Sequence, residues 1–216
     1  MAKKKNTGKI FEVNFKDSVP QHMWSYRPPD SGGGVMARFT SESLCDLFLF
    51  DNLKGKLYLL ELKSTIGTSI SFKSYEFCMR YEKIVKNFED WNSTLTSKER
   101  KEYLDTIKEK RAEIKKLKKE TNGAMIKYHQ IKSLKEIENE NINMNCFLVL
   151  SYLEKEKTYL VPINTFWEFW KNTTKKSINE NDLDELIESD LVQLIEQEKI
   201  GRSQINSEYN IEKCFS

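Results

Sequence analysis

Two short apolar runs separated by a polar turn decide the fold: Leu44-Cys45-Asp46-Leu47-Phe48-Leu49-Phe50 and Leu57-Tyr58-Leu59-Leu60-Glu61-Leu62-Lys63. The segment between them begins Asp51-Asn52-Leu53-Lys54-Gly55, and a polar turn with glycine between two apolar runs predicts an antiparallel hairpin. Each run is almost entirely apolar, as in a strand that is buried on both faces. The charged exceptions are Asp46 on the first strand and Glu61 and Lys63 on the second.

These three charged residues predict a chemical site. Burying an isolated charge costs several kcal/mol, so such residues are usually paired, bound to metal or placed at a cleft. Glu61 and Lys63 are two positions apart and share one face of their strand, and Asp46 falls near them in a hairpin that turns at 51–56. Carboxylates can hold Mg²⁺ or Mn²⁺, and a lysine can orient water or stabilise transition-state charge, so the trio suits metal-assisted phosphodiester hydrolysis. A salt bridge at the edge of the surface is the structural alternative.

Composition limits the class of protein. The 216 residues are 38% hydrophobic and 31% charged, with a net charge of +2, which predicts one soluble globular domain over 1–200 and a flexible tail over 201–216. No apolar run approaches about 20 residues and none follows the basic start, so we expect no membrane span, no secretory signal and a cytoplasmic location. Four separated cysteines predict buried thiols. With only two histidines, any metal must be a hard ion held by carboxylates.

Helical periodicity predicts the elements around the hairpin. Phe11 and Phe15 share one face of a short helix over 7–18. A heptad stripe from Phe77 to Trp91 and a capping box at Thr96 predict an antiparallel helical hairpin inserted at 74–123, whose second helix has an excess of lysine and arginine. We expect this insertion to be an independent module for junction recognition or dimer contact. The pattern further predicts helices over 125–138, 164–171 and 180–197, strands over 146–153 and 158–162, and a short strand near 36–39.

The spacing Asp46…Glu61-Leu62-Lys63 resembles the Asp…Glu-x-Lys signature of the restriction-endonuclease-like, or PD-(D/E)xK, nucleases. Within that superfamily the chain is similar to the RecU-type Holliday junction resolvases of Gram-positive bacteria and their phages, over about 1–72 and 124–195. The resemblance implies an α/β fold with a restriction-endonuclease-like core, a central mixed sheet flanked by helices, into which the helical hairpin is inserted. The shared pieces are Asn6-Thr7-Gly8-Lys9-Ile10-Phe11-Glu12, Glu61-Leu62-Lys63-Ser64-Thr65, His129-Gln130, Tyr159-Leu160-Val161-Pro162, Phe169-Trp170 and Lys175-Lys176-Ser177-Ile178.

The resemblance also implies roles for five residues. Asp46 and Glu61 would be metal ligands, with the Leu62 carbonyl as a further oxygen, and Lys63 would be the catalytic lysine. Glu12 would reach the metal from the first helix, directly or through water; its alternative is a solvated helix residue. Gln130 would point into the site, and its place on an apolar helix stripe, where an amide needs a partner, agrees with this. A core glutamine that bonds backbone is the alternative for Gln130.

The chain departs from the family in two places. Leu59 stands near the position of an additional family acid, and the segment before Asp46, which in the family includes the stalk that enters the junction, is shorter. The resemblance implies a Mg²⁺- or Mn²⁺-dependent endonuclease that nicks four-way DNA junctions, and because two symmetric nicks need two active sites we expect a C2 homodimer, with a recombination protein as a further candidate partner. The alternatives are a phage or restriction-type nuclease of the same fold without junction preference, and a non-catalytic DNA-binding regulator of recombination. Candidate phosphate contacts are Lys3, Lys4, Lys5, Lys9, Arg27, Arg38, Lys73, Lys127 and Lys132.

Overall fold

The structure is a computed structural model that describes residues 7–28, 44–200 and 207–215. Within these residues the chain alternates helices and strands, and the predicted α/β class is confirmed. In chain order the elements are α1 (Thr7–Asp17), β1 (Met23–Tyr26), β2 (Leu47–Asp51), β3 (Lys56–Thr65), β4 (Ser69–Ser71), α2 (Tyr75–Thr94), α3 (Ser97–Glu102), α4 (Leu104–Thr121), α5 (Tyr128–Glu140), β5 (Met144–Tyr152), β6 (Lys157–Pro162), α6 (Ile163–Asn172), β7 (Ser177–Asn179), α7 (Glu180–Glu188), β8 (Gln193–Ile195), β9 (Gln197–Lys199), β10 (Ser207–Tyr209) and a 3-10 helix at Glu212–Cys214.

A mixed sheet with the strand order β1-β2-β3-β5-β6-β8 occupies the centre. Strand β3 pairs antiparallel with β2 and parallel with β5, whereas β5–β6, β6–β8 and β1–β2 are antiparallel. The predicted mixed central sheet is therefore confirmed. Two small sheets, β4 with β7 and β9 with β10, lie outside it.

The predicted hairpin forms from β2 and β3, and its register is fixed at the turn. Asp51 is buried and its Oδ1 accepts hydrogen bonds from the backbone N–H groups of Leu53 and Lys54, at 2.8 and 3.2 Å. Gly55 adopts a φ of 64°, a left-handed conformation in which glycine has no steric penalty. With this turn, Leu47 pairs with Leu60, so Asp46 stands opposite Glu61.

Helices cover both faces of the sheet. On one face, Phe11 and Phe15 of α1 are fully buried in a core cluster with Leu60 and Val149 of the central strands. On the other face, α5 and α6 contribute Leu134 and Trp170 to a second cluster that contains Leu59. Leu59 and Leu60 alternate between these clusters because successive side chains of a strand point to opposite faces.

The segment 74–123 forms helices, but its base belongs to the core. Cys78 of α2 is fully buried in the second cluster, and Tyr75 packs edge-on against Trp170 with ring centroids 5.0 Å apart. Farther along α2, Phe88 lies beside Ile114 of α4. The prediction of an independent module is therefore wrong for the first turns of α2.

Of two local predictions for the helical segment, the structure confirms the capping box at Thr96 but not the single helix after it. The capping box is confirmed, since the Thr96 side chain accepts from Glu99 N while Glu99 accepts from Thr96 N. The single helix expected after it is divided into α3 and α4 at Tyr103, whose φ of −92° and ψ of 20° leave the helical region.

The predicted helix over 180–197 ends early. Asp190 takes a φ of 55°, and the N–H of Leu191 donates to the carbonyl of Leu186 at 3.0 Å. A residue in the left-handed conformation closes a helix in this way, because its backbone turns back onto the last carbonyls. The chain then continues as β8, which forms the sheet edge beside β6.

Residues 207–215 are ordered parts of the fold, although the sequence pattern assigns them to a flexible tail. Tyr209 and Phe215 are 3% and 6% exposed and join the cluster around α1. The Tyr209 ring lies edge-on to Phe11 at 5.7 Å, and Phe215 lies 4.3 Å from Tyr58. These aromatic contacts, which are distant in sequence, outweigh the weak local pattern. The strand expected near 36–39 lies outside the described residues, whereas β1 appears in a stretch assigned to loop.

Candidate active site

The sheet brings Asp46, Glu61 and Lys63 together as the hairpin register requires. The backbone N–H of Asp46 donates to the carbonyl of Leu60 at 3.0 Å, which aligns the aspartate with β3 although β2 begins one residue later. The Asp46 Oδ2 then accepts from the backbone N–H of Leu62 at 2.9 Å and from Lys63 Nζ at 3.3 Å. Lys63 Nζ also donates to Glu61 Oε1. The ammonium therefore bridges both carboxylates.

Helix α5 adds Gln130 to this group. Its Nε2 donates to Glu61 Oε1 at 2.6 Å, and the side chain is 7% exposed. The apolar stripe of α5 forces the glutamine toward the sheet, where Glu61 is the partner that a buried amide needs. The alternative of a glutamine that bonds only backbone is thus inconsistent with the geometry.

Burial increases from the rim of the site to its floor. The side chains of Asp46 and Lys63 are 24% and 16% exposed, whereas that of Glu61 is completely buried. Burial raises the pKa of Glu61 to about 8; Lys63 opposes this rise, and the charge of Asp46 adds to it. Burial alone would lower the pKa of Lys63, but the two carboxylates together raise it. The lysine is therefore held as a cation.

Two polar atoms on the floor of the site lack a hydrogen-bond partner. Glu61 Oε2 and Gln130 Oε1 are both buried and unsatisfied within the described residues. An unsatisfied carboxylate oxygen in the interior is costly, and a cation or an ordered water would satisfy it. The described residues contain no cluster of three or more histidine, cysteine or acidic side chains suited to a metal. Asp46 and Glu61 are the two acidic residues of the contact group around Lys63.

Glu12 lies on α1 and forms an ion pair with Arg27. The Arg27 guanidinium donates to Glu12 Oε2, with both side chains mostly buried. A paired glutamate is not the solvated helix residue of the alternative interpretation. Its approach to a metal at Asp46 stays a prediction.

The structure describes five of the nine candidate phosphate contacts, and two of these five are ion-paired. Lys132 forms an ion pair with Glu82 at 2.8 Å, and Arg27 is paired as described, so neither offers a full positive charge. Lys73 and Lys127 lie at the junctions that connect the helical segment to the core, and Lys9 lies on α1. The remaining candidates, Lys3, Lys4, Lys5 and Arg38, fall outside the described residues.

An aromatic pair beside the site was missed by the sequence interpretation. Trp24 and Tyr26 of β1 stack with centroids 5.9 Å apart and planes at 6°, and they are 54% and 46% exposed. Because Tyr26 pairs with Phe48, which pairs with Leu59, these rings share the sheet face of Glu61. The alternation of Trp24 and Tyr26 is typical of a strand, but with only four residues the pattern is too short to distinguish a strand from a loop.

The cysteines take no part in this chemistry. Cys45, Cys78 and Cys146 are buried free thiols, as predicted. Burial raises the pKa of Cys45 to about 12, and the charge of Glu61 adds to the rise, so this neighbour of Asp46 is an inert thiol. Among the described helices, none has the length and apolar character needed to span a bilayer.

Comparison with known proteins gives a match to the family described as Recombination protein U, over residues 110–200. The match begins within α4, in the segment interpreted as an insertion, and includes Gln130, whereas Asp46, Glu61 and Lys63 precede it. The chain is also 39% identical over 84 residues to the SPbeta prophage-derived uncharacterized protein YotM of Bacillus subtilis (strain 168). That alignment covers 38% of this chain and 38% of YotM, well under two thirds of either. In its C-terminal half, this chain is therefore similar to Recombination protein U.

Proposed function

We propose that this protein is a metal-dependent DNA endonuclease of the restriction-endonuclease-like type that resolves four-way junctions. The observation that carries the proposal is the contact group of Asp46, Glu61, Lys63 and Gln130, built from two sheet strands and a helix. The similarity of residues 110–200 to Recombination protein U supports a role in recombination.

The residues present fit a hard divalent cation. Glu61 Oε2 is a buried carboxylate oxygen without a partner, and Asp46 stands opposite Glu61 across the β2–β3 register. Oxygen ligands of this kind suit Mg²⁺ or Mn²⁺. We assign Asp46, Glu61 and the Leu62 carbonyl to the cation, with Glu12 as a further ligand, direct or through water. The bound ion would polarise a phosphoryl oxygen and lower the pKa of a coordinated water.

The chain's own residues do the remaining work of hydrolysis. Water adds to phosphorus, one P–O ester bond breaks, and the departing oxygen gains the proton that the water loses. Lys63 is held as a cation at the rim, where it orients the water and stabilises charge on the phosphoryl oxygens. Gln130 fixes the orientation of Glu61 by its hydrogen bond, and this makes Gln130 a positioning residue.

Junction resolution adds a requirement for symmetry. A four-way junction has a two-fold axis, so two matched nicks need two active sites, and we propose a C2 homodimer. The second candidate function is a nuclease of the same fold without junction preference. This second candidate stays open because the family match, over residues 110–200, does not include Asp46 and Glu61.

A nicking assay separates these functions. Purified protein is incubated with Mg²⁺ and either a four-way junction or a linear duplex of the same sequence, and the cut positions are mapped on all strands. We expect paired nicks at symmetric positions in the junction and slower cutting of the duplex. Equal rates on both substrates would support the second candidate. Absence of cleavage with Mg²⁺ and with Mn²⁺ would contradict both.

A further inference from the structure

A basic cleft lies where α4 ends and α5 begins. It has a volume of about 420 Å³, and its lining contains no acidic residue. It lies around the turn after Asn122, between the end of α4 and the start of α5, and four of its six lining residues are lysines. We call it the lysine cleft; it is lined by Lys115, Lys118, Lys119, Asn122, Lys127 and His129.

Three of the four lysines that line the lysine cleft have side chains available to a ligand. All four lysines are exposed, and within the described residues Lys115, Lys119 and Lys127 form no ion pair. The first turn of α5 contains no acidic residue, so its partial positive charge adds to theirs. Outside the lining, Lys73 reaches the same turn: its Cε lies 3.9 Å from where a β-carbon on Gly123 would be. Lysines gathered in this way repel each other unless an anion is bound.

The lysine cleft is connected to the candidate active site by a single helical turn. The backbone N–H of Gln130 donates to the Lys127 carbonyl at 3.1 Å, and the Gln130 side chain contacts Glu61. Lys127 is exposed at the start of α5, whereas Gln130, three residues later, is buried against Glu61. The exposed start of α5, with Lys127, is thus one helical turn from a residue of the candidate active site.

We propose that the lysine cleft binds the sugar-phosphate backbone of the duplex DNA arm beside the scissile phosphate. This inference rests on the proposed function for the position of the substrate. The occupant that fits is a duplex backbone, because several lysines in a row match a polyanion with regularly spaced charges rather than one small anion.

The test compares two pairs of substitutions with the same change in charge. The cleft variant carries Lys115→Gln and Lys127→Gln, which leave intact the lysines in the last turn of α4 that stabilise its carboxyl end. The control carries Lys101→Gln and Lys116→Gln, two exposed lysines of α3 and α4 outside the lining. Binding of a linear duplex is measured in EDTA, so that no cleavage occurs, from about 50 to 200 mM salt.

We expect the salt slope of the cleft variant to fall by about 1.8, since each phosphate contact on duplex DNA contributes about 0.9. The control should keep the slope of the unmodified protein, and Lys115→Arg with Lys127→Arg should restore it. Equal slopes in the cleft and control variants would overturn the proposal. If the double variant is misfolded by circular dichroism, the single substitution Lys115→Gln, on an exposed helix position, gives the same test with an expected fall of about 0.9.

Nicking with Mg²⁺ is measured in parallel on unmodified protein. If that protein does not nick but the cleft variant loses salt slope, the proposed nuclease function fails and the DNA-binding cleft stands. If the protein nicks but cleft and control bind alike, the cleft proposal alone fails.

Discussion

Gln130 and Glu61, 69 positions apart in the chain, are joined by a hydrogen bond of 2.6 Å that ties helix α5 to strand β3. A typical intramolecular hydrogen bond contributes about 0.5–1.5 kcal/mol, and this one is buried beside a carboxyl group whose other oxygen is unsatisfied. The same contact links the segment similar to Recombination protein U, which contains Gln130, to the strand that carries the acidic residue.

Removal of this contact should weaken catalysis without abolishing it. For Gln130→Ala we expect a nicking rate about 10–100-fold lower and a higher Mg²⁺ requirement, because Glu61 is no longer oriented. The measurement is the nicking rate across a Mg²⁺ titration. The control is Gln193→Ala, an exposed amide on the edge strand β8. A rate for Gln130→Ala equal to that of the control would show that Gln130 merely fills space.

Lys63 should act on the reaction rather than on the metal. Lys63→Ala should lower the rate about 10²–10³-fold, the usual cost of losing one donor to transition-state charge. Its Mg²⁺ dependence should stay close to that of the unmodified protein, since a cationic lysine is no metal ligand. Lys56→Ala removes an exposed lysine from the other end of β3 and serves as the control. A Lys63→Ala rate within a few-fold of this control would make Lys63 a structural residue.

We expect the protein to fold without the outer part of the helical segment but not without its base. Replacement of residues 87–111 by a short Gly/Ser linker keeps Cys78 and Tyr75 in the core, so we expect a folded protein. Replacement of residues 74–123 removes both and should give an unfolded one. Circular dichroism and size-exclusion chromatography measure this. A folded protein after the larger replacement would contradict the packing of α2.

The shorter replacement also tests what the outer helices do. We expect junction preference or dimerisation to decrease, while nicking of linear DNA persists. If both properties stay unchanged, the outer helices serve another partner.

The C-terminal residues should stabilise the fold. Phe215→Ala removes a ring that packs on Tyr58 and Phe147, and loss of a buried aromatic should lower the free energy of unfolding by about 3 kcal/mol. Urea unfolding measures this, with Ile142→Ala as control because that side chain is 94% exposed. Equal effects of the two substitutions would show that the tail is loose in solution.

The sequence pattern correctly predicts those elements whose stabilising contacts lie within a few residues of each other. The apolar run around Leu59 and Leu60, the Asp51–Gly55 turn and the Thr96 cap each act within a few residues, and the hairpin and the cap appear as predicted. The juxtaposition of Asp46, Glu61 and Lys63 follows from the same hairpin.

Long-range packing decided the elements that were missed. Strand β1 and the contacts of Tyr209 and Phe215 depend on partners far away in sequence. The end of α7 depends on one residue, Asp190, in a left-handed conformation that aspartate adopts more readily than most residues but that the helical periodicity does not reveal. The sequence shows the excess of lysine that lines the lysine cleft, but it does not show that the end of α4 and the start of α5 lie together.

The most direct test of the central claim is junction nicking by Asp46→Asn and Glu61→Gln beside Glu198→Gln, which alters an exposed carboxylate on β9. The account predicts that Glu198→Gln nicks at the unmodified rate in Mg²⁺, whereas Asp46→Asn and Glu61→Gln bind the junction and leave it uncut. Junction affinity should be equal in Glu61→Gln, whose side chain is buried, and equal or higher in Asp46→Asn, because a partly exposed negative charge is removed. Nicking at the unmodified rate by both variants would contradict the assignment of Asp46 and Glu61 to the active site.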